Sequence, residues 1–258
     1  MKQTRFGLGW QQRLTALLAC TAVAGLTACG GGGGGASSTT APAPATGTDT
    51  GTGNTGATQT LSASFSGEGT FYGATGEGQC SFDASPSDLM VAAMNDHDYA
   101  NAAACGEFVA VTGPKGSVTV RITDRCPECK PGDVDLSAEA FARIADPVAG
   151  RVPITWNVVA GGLQGPLAFR FKEGSTRFWT AIQVRNHRLP ITALEIKPSG
   201  SADWIGVQRA DYNYFVHPIE IASGPLQVRV TALGGATLVS TLPEPVGGLV
   251  VQGTEQFP

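Results

Sequence analysis

The chain has 258 residues, 42% of them hydrophobic and 15% charged, with a formal net charge of −4 at pH 7. That balance supplies no basic stripe and argues against a nucleic-acid partner. Its 35 glycines and 16 prolines favour turns and short strands over long helices.

The chain opens on an export segment. Lys2, Arg5 and Arg13 form a positive n-region, and residues 14–28 are an apolar run too short and wrongly flanked to span a membrane. Leu26-Thr27-Ala28-Cys29 resembles the lipobox of bacterial lipoproteins, which implies removal of residues 1–28 and lipidation of Cys29. Leu17-Leu18-Ala19-Cys20 is a weaker copy, because cleavage there leaves too short an apolar run. Ordinary signal cleavage would put Leu26 where a small residue belongs. The expected product is exported, and either lipid-anchored in the bacterial outer membrane or secreted. Residues 29–60 then run through glycines 30–35 into Ser, Thr, Ala, Pro and Gly, with Asp49 the one charge. Such a stretch cannot bury apolar surface and is expected to be a flexible tether.

The remainder divides near Gly161-Gly162-Leu163-Gln164-Gly165-Pro166 into residues 61–160 and 164–258. The first part carries 13 Asp/Glu against 6 Lys/Arg, a net of −7, and the second 7 against 8, a net of +1. An acidic first domain is repelled by anionic polymers, so charge alone does not drive it onto a wall. In that domain Ser85-Pro86 predicts a helix start before Leu89, Met90, Ala93 and Met94. Alternation predicts strands at 108–111, 118–122 and 154–158, with a turn at Gly113-Pro114-Lys115-Gly116. Ser137 caps a helix with Phe141 and Ile144 on one face. Short strands with little helix suggest a small β-barrel. The second domain predicts strands at 169–172, 179–185, 191–196, 204–208 and 226–231, a β-sandwich pattern. Trp156, Phe169, Trp204 and Phe215 are expected in the cores.

Beyond Cys29 the cysteines are Cys80, Cys105, Cys126 and Cys129, all in the first domain. An even number in an exported protein reads as two disulfides. A zinc site is the rival, but Cys126 and Cys129 need a second pair at ligand spacing, and Cys80 and Cys105 stand far apart. A thioredoxin-like motif would open a helix, whereas Pro131 and Gly132 follow almost at once. His97, His187 and His217 have no partner at ligand spacing, so neither metal nor cofactor is expected. The chemistry then concentrates on Asp124 and Asp135, which flank the Cys126-Pro127-Glu128-Cys129 turn.

Gly69-Thr70-Phe71-Tyr72-Gly73, Ala104-Cys105-Gly106, Thr123-Asp124-Arg125-Cys126-Pro127-Glu128-Cys129 and Asp135-Leu136-Ser137 resemble the barrel of bacterial expansins. Phe171-Lys172-Glu173-Gly174-Ser175-Thr176-Arg177-Phe178-Trp179, Ala181-Ile182-Gln183-Val184-Arg185-Asn186-His187 and Asp211-Tyr212-Asn213-Tyr214-Phe215-Val216 resemble their cellulose-binding domain. The series covers about residues 65–258 in the family's order. It implies an all-β chain: a six-stranded double-psi β-barrel followed by an immunoglobulin-like β-sandwich. It also implies a monomer that loosens plant cell walls without hydrolysis, by binding junctions of cellulose and matrix glucan. By motif position the polar groove is Thr70, Tyr72, Asp124, Glu128 and Asp135, with Asp135 at the aspartate most needed for loosening. The sugar-stacking platform is Phe178, Trp179 and Tyr212, with Lys172 nearby. Adjacent strand residues face opposite ways, so Phe178 shares a surface with Trp179 only at a bulge or strand end and is otherwise core. The resemblance pairs Cys80 with Cys105, which leaves Cys126 with Cys129. One departure is Cys126 itself, which stands where some bacterial members carry a groove-lining tyrosine.

Glycoside hydrolysis needs two carboxyls across the scissile bond. Asp135 fits the acid. The stretch from Thr70 to Gly76 holds no carboxylate, Glu77 is the nearest, and Asp124 serves either as a base or as an acceptor for backbone N–H groups of the adjacent turn. A lytic transglycosylase needs a single acid/base group. Some are double-psi barrels with a comparable run, so peptidoglycan cleavage is an alternative reading. A cellulose-binding adhesin with an inert barrel is another.

Overall fold

The computed structural model describes residues 59–258. The expected export signal, the lipidation site Cys29 and all but the last two tether residues lie outside them. Within the described part, Thr60 bridges to Val159, and Leu61 N–H donates to the Val158 carbonyl at 2.8 Å.

Six strands close a barrel: β1 (Phe65–Tyr72), β2 (Val91–Asn95), β3 (Phe108–Gly113), β4 (Gly116–Cys126), β5 (Val134–Ser137) and β6 (Val152–Val159), in the order β1-β5-β2-β4-β3-β6. The β1/β5 and β2/β4 pairs are parallel and the other pairs antiparallel. Inward side chains such as Met94, Val109, Val120, Ile122, Val134 and Leu136 fill the interior. Helix α2 (Ala138–Ile144) closes one end with Phe141 and Ile144. Ser137 caps it as expected, its Oγ accepting from Ala140 N–H at 3.0 Å.

The helix expected after Ser85-Pro86 is a correction. Residues 91–95 are instead the strand β2, buried along its whole length between β4 and β5. A strand covered on both faces shows a continuous apolar run rather than alternation, and such a run is easily read as a helix face. Ser85-Pro86 serves a turn, closed by Asp88 N–H on the Ser85 carbonyl at 2.9 Å. A four-residue helix, α1 (Asp96–Tyr99), then leaves β2 with Asn95 as its cap.

Eight strands follow: β7 (Ala168–Phe171), β8 (Thr180–Arg185), β9 (Ile191–Pro198), β10 (Ile205–Arg209), β11 (Phe215–His217), β12 (Leu226–Ala232), β13 (Thr237–Leu242) and β14 (Val250–Gln252). Their order is β13-β12-β9-β10-β11-β8-β7-β14. Strand β10 pairs with β9 through Ile205, Gly206 and Val207 and with β11 through Gln208 and Arg209, so it passes from one layer of the sandwich to the other. The shared core takes Phe169, Phe171, Ile182 and Val184 from one layer and Leu194, Ile196, Val228 and Val230 from the other. Trp204 is a second correction. Val207 and Ile205 face the core, so Trp204 falls on the outside by alternation, where the Arg229 guanidinium lies 4.5 Å above its ring.

Both disulfides form as the resemblance implied, Cys80–Cys105 and Cys126–Cys129. Barrel and sandwich belong to one contact unit. With Phe169, Phe171, Ile182 and Val184 inward, Arg170, Gln183 and Arg185 stand on the outer face of their layer, and the barrel covers that end of it. Gln183 Nε2 donates to the Cys80 carbonyl at 2.9 Å, and Arg170 and Arg185 both bond Asp83. Along another edge of the joint, Arg209 donates to the Ala102 and Ala103 carbonyls.

Between the two domains lies a cavity of about 610 Å³ lined by Glu107, Arg209, Ile191 and Phe215, among others. Burial pushes the Glu107 carboxyl up to about 8, with Asp98 adding repulsion and Arg209 opposing. In the unfolded chain this group ionises near 4.5, so between 4.5 and about 8 the folded state keeps a proton that the unfolded state has released. Stability therefore falls as pH rises across that window. Glu107→Gln is expected to flatten the decline in thermal midpoint between those pH values. An unchanged slope would show that Glu107 does not carry it.

Candidate functional site

Strand register assembles the site. Thr70 on β1 is paired with Asp135 on β5, Asp135 with Ala93 on β2, and Ala93 with Asp124 on β4. Register partners share a face, so Thr70, Asp135, Ala93 and Asp124 form one row across four neighbouring strands. Ala93 is the small member and leaves room between the two carboxylates, whose Cα atoms stand two strand spacings, about 10 Å, apart.

Asp135 is half-buried, and its Oδ1 accepts from Thr70 Oγ1 at 2.5 Å. Burial raises its pKa, and the negative charges of Glu128 and Asp124 push the same way. The Thr70 hydrogen bond and Arg151 only partly oppose them. Asp124 is committed differently. Its Oδ1 accepts from Gln79 N–H at 2.7 Å and Arg125 N–H at 2.8 Å. The backbone-satisfying role expected for it is thus real, with different donors: in the following turn Cys129 N–H donates to the Cys126 carbonyl. Gly78 permits this contact, because a Cβ there would lie 2.3 Å from Asp124 Cγ.

Tyr72 lies two residues beyond Thr70 on the same face of β1. Its hydroxyl is buried without a hydrogen-bond partner among the described residues, although the Asp124 carboxylate is near enough to act on it. Burial, then the charges of Asp124 and Asp135, hold its pKa well above the ordinary value, so it remains a donor.

A groove of about 570 Å³ gathers Thr70, Glu128 and Asp135 with Cys126 and Cys129 at its wall. Tyr72 and Asp124 do not line this groove. Four charged residues that sequence reasoning missed do: Glu68, Lys130, Asp133 and Arg151. Asp133 is buried and accepts from Glu68 N–H and Lys130 N–H, tying β1 to the turn that carries the second disulfide. Arg151 pairs with Glu68 at 2.5 Å. Alternation on β1 puts Glu68 beside Thr70 and was the one signal available for it. Arg151 precedes β6, whose Val152 is paired with Gly69 on β1, and nothing local in the sequence points to it.

The aromatic residues lie on the sandwich. Thr176 and Trp179 close a turn by reciprocal backbone bonds just before β8. This supplies the strand end needed for Phe178 to escape the core, and Phe178 is 55% exposed with Arg177 stacked 4.2 Å from its ring. Trp179 precedes Ala181 by two and takes the outer face, half-buried. Lys172 is on that face as well, its Nζ 5.8 Å from the rings of both Tyr212 and Tyr214. One end of the face is covered by the barrel and the other, bearing Lys172, Trp179 and Tyr212, is open. Among the described residues no cluster of His, Cys, Asp and Glu suits a metal ion, and no helix is long and apolar enough to cross a membrane.

The profile of a family described as Lytic transglycolase matches residues 58–156. Expansin-YoaJ of Bacillus subtilis (strain 168) is 40% identical over 185 residues, covering 68% of this chain and 78% of that protein. Expansin-like protein 5 of Dictyostelium discoideum is 30% identical over 199 residues, covering 73% and 83%. The apo crystal structure of an expansin from Clavibacter michiganensis superposes with a TM-score of 0.69 at 38% identity, covering 76% of this chain and 99% of that one. A mutant of the Clavibacter protein in complex with cellohexaose gives a TM-score of 0.70 at 37% identity, with the same coverage.

The Thr70 hydroxyl favours the charged form of Asp135, so Thr70→Val is expected to raise the Asp135 pKa further in a carboxyl NMR titration; a fall would contradict the geometry. Folded Asp135 holds its proton to higher pH than the unfolded chain does, so its contribution is present in acid and lost as pH rises through the folded value. Asp135→Asn should therefore raise the thermal midpoint at pH 7, the gain shrinking toward pH 3.8.

Proposed function

The chain belongs to the expansin family, and we propose that it loosens plant cell walls without hydrolysis by gripping cellulose and matrix glucan at their junctions. The observation that carries this reading is the Thr70–Asp135–Ala93–Asp124 row, in which Asp135 faces the groove while Asp124 lies outside it with its Oδ1 tied to two backbone N–H groups. Inverting hydrolysis needs a carboxylate that activates water, and retaining hydrolysis needs a nucleophile. The Oδ1 of Asp124 is occupied by two backbone N–H groups. Glu77 is exposed and contacts Thr75.

In this reading Asp135 and Thr70 exchange hydrogen bonds with glucan hydroxyls, Glu128 borders the groove, and Tyr72 is buried beside Asp124 rather than in contact with the glucan. Each such bond replaces one that the glucan makes to its neighbour, so chains slip and no covalent bond breaks. Trp179, Tyr212 and Phe178 hold pyranose faces by stacking, and Lys172 reaches hydroxyls. The cellohexaose complex of the Clavibacter relative supports a β-glucan ligand. We infer export and a lipid anchor at Cys29 from the N-terminal segment, and a monomer.

A second reading is favoured by the raised pKa of Asp135 and by the family profile described as Lytic transglycolase. A single protonated acid is enough for intramolecular attack by a sugar hydroxyl. Incubation with purified peptidoglycan separates the two, since anhydro-sugar products would establish cleavage. An adhesin with an inert barrel would leave Asp124→Asn/Asp135→Asn indistinguishable from wild type.

The test of the main proposal is extension of cellulosic paper or plant wall under constant load. Wild type is expected to produce creep with no reducing sugar released. Asp135→Asn should abolish creep while leaving cellulose retention intact, and Trp179→Ala should lose most retention. Sugar release in proportion to protein would overturn the non-hydrolytic reading.

A further inference from the structure

Tyr212 is carried on the loop between β10 and β11, and that loop is anchored from outside its own domain. Within the sandwich the loop is closed by Ala210 N–H on the Tyr214 carbonyl at 2.8 Å and Asn213 N–H on the Ala210 carbonyl at 3.0 Å. Three consecutive residues at its tip then bond the barrel. The Asp211 carbonyl accepts from Tyr99 Oη at 2.7 Å, the Tyr212 carbonyl accepts from Ser81 Oγ at 3.0 Å, and Asn213 Nδ2 donates to the Cys80 carbonyl at 3.1 Å. Asn213 has a φ of 65, so a left-handed backbone turns its side chain inward. Tyr99 and Asn213 are both buried and stand apart from the open aromatic face.

We propose that Tyr99 and Asn213 are positioning residues that set the Tyr212 stacking position from the barrel side, so that the glucan platform is complete only when the two domains are docked. The inference rests on the platform reading above. Its physical content is geometric. A stacking ring helps a long glucan only if it lies at the height and spacing fixed by Trp179, and small displacements forfeit dispersion contact steeply. The sandwich offers Tyr212 a ring neighbour in Tyr214, with centroids 6.0 Å apart, and the Lys172 ammonium. The barrel partners of residues 211–213 are the Tyr99 and Ser81 hydroxyls, which donate to main-chain carbonyls, and the Cys80 carbonyl, which accepts from the Asn213 side chain. The Cys80–Cys105 disulfide stiffens this support, because its Cys105 sulfur lies 3.3 Å from the Tyr99 hydroxyl while Cys80 provides the carbonyl.

The test uses the full chain with cellohexaose and cellobiose as probes, and Tyr99→Phe, Asn213→Gly and Trp179→Ala as variants. Tyr99→Phe removes one hydroxyl, and Asn213→Gly keeps the left-handed backbone while removing the amide. Each is expected to weaken cellohexaose binding about three- to tenfold, the reach of one lost hydrogen bond. Cellobiose binding, followed by the shift of the Trp179 indole N–H, should be unchanged, and the thermal midpoint should move by less than about 4 °C. A general loss of stability would lower both affinities together with the midpoint, and that result overturns the inference. So does wild-type cellohexaose affinity in both variants while Trp179→Ala loses it. If Trp179→Ala itself binds cellohexaose normally, the platform reading fails and the positioning role falls with it.

Discussion

The main-chain carbonyl of Cys80 is the point on which the rest of the functional surface hangs. Fully buried, it accepts from Gln183 Nε2 and from Asn213 Nδ2, one on the sheet face and one on the loop beside it. The same residue donates its N–H to the Thr123 carbonyl and is bridged to Cys105. On its N-terminal side Gln79 N–H bonds Asp124 in the polar row, and on its C-terminal side Ser81 Oγ bonds the carbonyl of Tyr212. Three successive residues therefore connect the polar row of the barrel to the aromatic face of the sandwich. Each of these bonds contributes modestly to stability, about 0.5–1.5 kcal/mol net, because the parted groups would find water. Their directionality matters more, since buried donors tolerate one docking orientation and penalise others.

On the proposed function, that orientation lets a barrel with a net charge of −7 and a sandwich with a net charge of +1 meet one neutral polymer. The acidic groups of the barrel are spent in distinct ways. Asp133 and Asp124 hold backbone, Asp83 joins Arg170 and Arg185 across the interface, and Glu68 is neutralised by Arg151. Asp135 is the exception. Burial and the charges of Glu128 and Asp124 raise its pKa, so it exchanges between donor and acceptor more readily than an exposed aspartate. Tyr72 adds a buried hydroxyl with no hydrogen-bond partner among the described residues. A groove in which Asp135 and the Thr70 hydroxyl face outward is matched to hydroxyls as well as to ions.

How much of this was legible beforehand depended on whether the signal was local. The cap at Ser137, the strands β3, β4 and β6, and five of the sandwich strands follow from alternation and turn residues close in sequence. Strand β2 was misread because burial on both faces erases alternation. The short strands β5, β11 and β14 carry too few residues to show a period. Asp124 and Asp135 stand out by residue type and Thr70 by the family resemblance, but their common row is set by β1, β5, β2 and β4 lying side by side, a fact of topology. Arg151 and the Tyr99–Asp211 contact join residues far apart in sequence, and no window of the chain contains both partners. Trp204 is expected in the core, whereas its place one residue before β10 turns it outward under Arg229.

The arrangement also limits how tightly a glucan can be held, and on the proposed function that limit is a requirement. Neutral hydrogen bonds exchanged for water contribute about 1 kcal/mol each, and aromatic contacts about 0.5–1.5 kcal/mol beyond burial. A few of each, set against the cost of immobilising a chain, leave an affinity weak enough for detachment to be fast. A charged clamp or a covalent intermediate would hold longer and release the strand in fewer, slower events. With Phe178 exposed and its ring already carrying Arg177, and with a disulfide at the groove wall, this surface lies toward the weak end. On the proposed function, repeated short-lived contacts would let stressed glucans move past one another while the protein remains at the junction.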